Sequence, residues 1–343
     1  MEKKKSGADF GAEVNRLKIQ GPERLYLIWG DEDYLRDRFV EQLRSACLGD
    51  GEADFNYRRM SGQNMDLRDL DEAVRTPPFL GSHVFIELRD YDVNACREDQ
   101  QERLLYILGD IPEGCTVAMI EDIGYVPDGR LGLVKKLKKL AHTVEFTAQE
   151  QQALVRWIGR RFADLGKDIA RADAEYLIFT SGSLMSQLIP EIEKLAGYVA
   201  GSRVTRADID KVAIKLPEAR VFELSDRLAE RDYDGAADVL AKLLLTRESP
   251  IKLIAIVGQQ MRRLYAAKLL SAPGGRPDEL YELCGVKPGY AASRLMNTVR
   301  RLDIGWIEFA CEMCAEYDYR MKSTADDDEE LLKELLVRLA AGK

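Results

Sequence analysis

The stretch Leu25-Tyr26-Leu27-Ile28-Trp29-Gly30-Asp31-Glu32-Asp33-Tyr34 decides how the first half of this chain is read. Five apolar residues in a row predict a strand covered on both faces, and Gly30 ends it. From Asp33 to Leu48, Leu35, Phe39, Leu43 and Ala46 recur at helical spacing, so an amphipathic helix is expected there. Strand, glycine turn and helix in that order are the setting of a phosphate-binding loop. The chemistry of such a loop is missing. Between Gly30 and Tyr34 there is no glycine run, no Gly-Lys pair and no Ser or Thr for a metal. Three carboxylates stand there instead and would repel a triphosphate. A nucleotide-binding scaffold without its nucleotide site is expected to serve a partner.

Outward from this stretch, further strands are predicted over Asp54–Met60, Val84–Leu88, Thr116–Glu121 and Thr143–Phe146. The intervening helices are Asp66–Arg75, Glu98–Leu108 and Arg130–Ala141. This alternation predicts a doubly wound α/β domain with a parallel sheet over residues 1–147. After Phe146 the strand signal nearly stops. Thr147-Ala148-Gln149-Glu150 has capping-box form, opening a helix to about Leu165. Helices over Ala172–Thr180, Leu184–Ala200 and Thr205–Ile214 complete a small all-α domain, residues 148–216. Pro217 marks a boundary. Beyond it, Asp234–Leu245, Ile251–Leu270, Pro277–Cys284, Ala291–Leu302, Ile304–Met321 and Asp327–Ala341 predict a second all-α domain over 217–343.

With 343 residues, 46% apolar and 32% charged, the composition is that of a folded multidomain protein. A net charge of −9 argues against global attraction to DNA or an anionic membrane. No apolar run approaches the roughly 18 residues that span a bilayer. The start, Met1 to Gly7, has no apolar stretch behind its charges, so a cytoplasmic location with no membrane contact is expected. Cys47, Cys96, Cys115, Cys284, Cys311 and Cys314 are dispersed and read as reduced thiols. Cys311 and Cys314 share a helix face but have no second ligand pair. His83 and His142 have no nucleophile motif beside them. No catalytic residue, cofactor or metal site is expected.

Three charged features have structural readings. Glu121 and Asp122 follow the fourth strand, and Asp122 reads as a turn acid at the sheet end. Lys135, Lys136, Lys138 and Lys139 read as a solvated helix face, with DNA or an acidic partner as the functional alternative. Asp326 to Glu330 reads as a cap on the last helix. One segment is singled out for function: Thr76-Pro77-Pro78-Phe79-Leu80-Gly81. Two prolines stiffen its approach and a glycine frees its exit. Phe79 and Leu80 between them either tuck under the sheet or project as an apolar plug into a partner.

These residues together resemble the delta subunits of bacterial DNA polymerase III clamp loaders. The likeness is carried by Leu25–Leu35, by Thr76–Gly81 followed by Val84–Leu88, and by Thr143–Phe146 leading into Leu154–Ile158. It continues through Gly182–Leu184, Glu191–Leu195, Val221–Asp226, Gln259–Leu264 and Tyr317–Lys322. The resemblance implies an AAA+-like α/β domain, a helical lid and a helical collar. It implies a subunit of a DNA-directed DNA polymerase holoenzyme that binds the ring-shaped sliding clamp. It would hold the ring open for loading onto primed DNA and hydrolyse no ATP. Partners implied are the clamp, the gamma/tau and delta-prime type loader subunits through the collar, and primed DNA through the assembled complex. The family's clamp contact is an apolar pair matching Phe79. Pro78 stands where the family commonly has leucine, and Leu80 offers the second apolar group. Two other classes compete: an active AAA+ ATPase with an atypical nucleotide loop, and a helical adaptor unrelated to replication.

Overall fold

The computed structural model describes residues 7–49, 55–63, 65–79, 81–246, 248–272, 279–286 and 289–342. Asp54, Leu80, Pro277 and Asp278, all within predicted elements or the candidate loop, lie outside the described residues. By its contacts the chain groups into two units, Met1–Glu150 with Ser183–Ile189, and Gln151–Gly182 with Pro190–Lys343.

In the first unit, β1 (Leu25–Trp29), β2 (Tyr57–Ser61), β3 (Val84–Arg89), β4 (Cys115–Ile120) and β5 (His142–Glu145) form one parallel sheet in the order β2-β3-β4-β1-β5. Helices α1 (Phe10–Gln20), α2 (Asp33–Leu48), α3 (Leu67–Arg75), α4 (Glu98–Gly109) and α5 (Gly132–Leu140) cover it. The chain first runs from β1 to the far edge strand β2, then returns through β3 and β4 and passes β1 to reach β5. Right-handed crossovers therefore place α2 on one face and α3, α4 and α5 on the other. Strand alternation divides the side chains accordingly. Leu25, Leu27, Trp29, Ile86, Leu88, Val117 and Met119 meet Leu70, Val74, Leu104, Ile107 and Leu137 of α3–α5. On the opposite face Tyr26 and Phe146 meet Phe39 of α2, with ring centroids 6.1 and 5.6 Å from it.

The predicted β1 and α2 are observed with the same bounds. β2 differs: it begins at Tyr57, so Phe55 and Asn56 precede it instead of lying in its pleat. Asn is a poor strand former, and here its side chain is used elsewhere. Helix α1 has no counterpart in the sequence reading. It buries only Leu17 along its length, so its apolar stripe is too thin to register. Asp9 caps it by accepting from Ala12 N at 2.8 Å. On α5, Leu133, Val134 and Leu137 are buried, while Leu140 and the four lysines are exposed.

The second unit contains α6 (Gln151–Asp164), α7 (Arg171–Ser181), most of α8 (Met185–Tyr198), α9 (Arg206–Val212), α10 (Pro217–Ala229), α11 (Tyr233–Leu244), α12 (Pro250–Leu270), α13 (Leu280–Cys284), α14 (Tyr290–Thr298), α15 (Ile304–Ser323) and α16 (Asp328–Ala341). Two two-residue strands, β6 (Asp168–Ile169) and β7 (Arg203–Val204), pair in parallel and were too short to show any periodicity. The capping box expected at Thr147 is not used, and α6 starts at Gln151. A capping box is present at Thr205, closed by Asp208. Pro217 sits in the first turn of α10, where its missing N–H costs nothing. Asp327 caps α16 by accepting from Glu329 N and Glu330 N, so the acidic run has its structural role. The helical core is built from Leu253, Val257, Met261 and Leu264 of α12 against Ile307, Ala310, Cys314 and Tyr317 of α15.

Candidate functional site

The two ends of the parallel sheet differ in what they offer. At the carboxyl end, β1 lies where the direction of strand addition reverses, the place where open α/β sheets ordinarily bind ligands. Gly30 there has φ +129, and a Cβ on it would stand 2.7 Å from the carbonyl carbon of Phe146. The glycine therefore serves close approach of two strand ends rather than of a phosphate. Glu32 N donates to the Phe146 carbonyl at 3.0 Å, continuing the bond from Phe146 N to the Trp29 carbonyl at 2.9 Å.

The side chain of Glu32 turns inward and is fully buried. Its Oε1 accepts the N–H of Met185, at the first turn of α8, at 3.1 Å. Burial pushes its pKa up to about 7, against the lowering effect of that hydrogen bond, with Asp33 adding to the rise. Glu121, at the end of β4, is also buried, and burial with Asp90 and Asp92 nearby raises it to about 8. Arg36 of α2, buried as well, donates to the Glu121 carbonyl oxygen at 2.8 Å. Asp122 accepts from Ile123 N at 2.7 Å, as a turn acid does. Asp33 accepts from Tyr34 N at 2.9 Å, and Asp31 is exposed. These residues do not fit a nucleoside triphosphate. The turn after Gly30 carries no lysine, and Glu32 and Glu121 are buried at this end of the sheet.

At the amino end of the sheet the chain presents apolar surface instead. Helix α3 is tied down at its close: Arg75 donates to the carbonyl and carboxylate of Asp110 at 2.9 and 2.8 Å, and Thr76 Oγ1 donates to the Glu72 carbonyl at 2.6 Å. Pro77 and Pro78 follow, the first exposed and the second half-buried. Phe79 is then held at its backbone. Asn56, 2% exposed, accepts the Phe79 N–H on Oδ1 at 2.7 Å and donates Nδ2 to the Phe79 carbonyl at 3.0 Å. Asn56 is itself anchored to the sheet, its carbonyl accepting from Phe85 N at 2.9 Å. The Phe79 ring is left 59% exposed. Phe55, 76% exposed, lies against it with ring centroids 5.7 Å apart and planes at 54°. Asn56 and Phe55 were hidden in the sequence inside the predicted strand over Asp54–Met60.

The remaining candidates have local roles. His83 pairs with Thr116 Oγ1 at 2.9 Å and His142 with Glu13 at 2.8 Å. Cys314 is buried in the helical core, where burial pushes its thiol up to about 12. Among the described residues no group of three or more His, Cys, Asp or Glu could hold a metal ion, and no helix is long and apolar enough to cross a membrane. In the helical unit, Arg206, Asp226, Tyr290, Arg294 and Thr298 line a cavity and bond to one another. Arg294 meets Asp226 at 2.6 Å, and Arg206 meets the Tyr290 hydroxyl at 2.8 Å.

Comparison with known proteins gives the context for this surface. The family model for the DNA polymerase III delta subunit matches residues 26–147. The model for the C-terminal domain of the same subunit matches residues 218–339. The chain belongs to the DNA polymerase III delta subunit family. It is 23% identical to the DNA polymerase III subunit delta of Bacillus subtilis over 326 residues, 92% of each chain. To the probable DNA polymerase III subunit delta of Aquifex aeolicus it is 23% identical over 286 residues, covering 81% of this chain and 80% of that one. Its fold is similar to the solved Bacillus subtilis DNA clamp loader delta protein, with TM-score 0.55 at 21% identity, covering 97% of this chain and all of the other. In this delta-family chain the matched N-terminal segment contains both sheet ends, the filled carboxyl end at Gly30–Glu32 and the loop that carries Phe79.

Proposed function

We propose that this chain binds a ring-shaped sliding clamp through Phe79, with Pro78 and Leu80 beside it, and holds the ring open for loading onto primed DNA without hydrolysing ATP itself. The observation that carries the reading is Phe79: a large apolar ring left in water on a loop whose backbone is fixed by the buried Asn56. What sets it apart from other exposed apolar side chains is the buried amide that fixes the loop and keeps the ring in solvent. A preset anchor loses little entropy on binding, and burying the exposed part of the phenylalanine supplies about 1–2 kcal/mol. Family membership gives the anchor its partner.

The mechanism is a difference of affinities. A wedge that binds the open, strained ring more tightly than the closed one shifts the ring toward opening, with no bond made or broken. In this reading residues 148–216 form the lid and 217–343 the collar, which meets the gamma/tau and delta-prime type subunits. Contact with DNA runs through the assembled complex, in the cytoplasm. The ATP energy comes from neighbouring subunits, consistent with Glu32 and Glu121 filling the carboxyl end of the sheet here.

Isothermal titration of the purified chain tests the two halves of the proposal. Sliding clamp is expected to give a saturable signal in the absence of nucleotide, and Mg-ATP none. ATP binding at micromolar concentration would restore the ATPase alternative. No clamp binding, with ATP or without, would leave the helical-adaptor reading.

A further inference from the structure

We infer that Phe55 is a second aromatic anchor of the same surface, covered by the sliding clamp together with Phe79. The inference rests on the clamp-binding reading of Phe79 and extends it to a residue outside the Pro78–Leu80 motif. Phe55 stands two residues before the edge strand β2, and its ring is 76% exposed. A single exposed apolar side chain would need no explanation. Phe55 is not single: its ring lies on that of Phe79, which is also exposed, and both are rooted in one buried residue. Asn56 follows Phe55 in the chain and grips the Phe79 backbone by both its N–H and its carbonyl. That amide clamp joins two segments 23 residues apart so that their rings meet in solvent rather than in the core.

The partner follows from continuity. With centroids 5.7 Å apart, a pocket deep enough to desolvate the Phe79 ring has to close over the adjoining face of Phe55. Central anchors of an interface are ringed by contacts that exclude water, and Phe55 is placed to be either such a contact or a second centre. Because the rings touch, their contributions to binding are coupled.

Surface plasmon resonance of the full chain on immobilised clamp, without nucleotide, decides the matter. Phe79→Ala is expected to weaken binding at least about a hundredfold and Phe55→Ala about tenfold, while Phe55→Leu stays within about threefold of the parent. The double variant should lose less than the product of the single losses. If Phe55→Ala binds within twofold of the parent while Phe79→Ala fails, the inference is wrong and the clamp-binding reading stands. If neither substitution changes affinity, that reading itself is wrong. Thermal unfolding by circular dichroism identifies any variant with a lowered melting temperature. Such a variant is compared with Phe55→Asp at a temperature where both are folded, and the same two outcomes apply.

Discussion

The two ends of the first unit's sheet are built from similar materials and treated in opposite ways. At the carboxyl end a polar chain segment is drawn inward: Glu32 is buried against Met185, Glu121 is buried beside Arg36, and Gly30 lets Phe146 close over the turn. At the amino end an apolar segment is held outward, with the Asn56 side chain bonding both the N–H and the carbonyl of Phe79. Burying carboxyl groups costs stability, and exposing phenylalanine forgoes it. The carboxyl end is closed by the protein's own groups, and the amino end leaves two aromatic rings in solvent. On the proposed reading the first is a vacated nucleotide site and the second a binding surface.

The contrast can be broken at four points. The largest expected effect is at the closed end. Gly30→Ala would place a methyl group against the Phe146 carbonyl at a φ of +129, and a loss of about 3 kcal/mol or more is expected in urea unfolding. Asn56→Ala should cost about 1–2 kcal/mol, because it removes two hydrogen bonds at a buried position, and should also weaken clamp binding by freeing the loop. Glu32→Gln tests burial of the carboxyl group. Folded, Glu32 keeps its proton up to about pH 7; unfolded, it releases it near 4.5. Its contribution to stability is therefore fully present below pH 4.5 and is lost as pH rises to about 7. The glutamine variant can still accept the Met185 N–H but has no proton to lose. Its stability relative to the parent should rise by about 2–3 kcal/mol between pH 5 and pH 8, read from urea midpoints. The smallest effect is at the open end: Phe79→Ala should leave stability within about 0.5 kcal/mol of the parent, since its ring is not part of a core.

The closed end was the more legible of the two. Leu25–Trp29 and Asp33–Leu48 are long enough, and apolar enough on the right face, for strand and helix to be placed from spacing alone, and the three acids after Gly30 already spoke against a phosphate. What spacing could not show was direction. Glu32 reads like its neighbours Asp31 and Asp33, yet it alone is buried, because Met185, 153 positions later, offers a backbone N–H in reach. At the open end Phe79 stood out between its prolines and Gly81, while Phe55 did not. It belongs to the run Asp54–Met60, where Phe55 and Tyr57 alternate with polar residues as in a strand, and only the tertiary use of Asn56 shows that the strand starts after it. Helix α1 and the β6–β7 pair were missed for a related reason: one has a single buried residue and the other has four residues in all. Thr147 and Glu150 show the converse, a local capping signal that the chain does not use.

The central claim is that the open end, and not the closed one, is where this protein does its work. Surface plasmon resonance of the parent and Phe79→Ala on immobilised sliding clamp, in buffer without nucleotide, tests it most directly. Saturable binding by the parent and a loss of at least about a hundredfold in the variant are expected, with both proteins equally folded. Equal affinity of the two, or binding by the parent only when ATP is added to this chain alone, would contradict it.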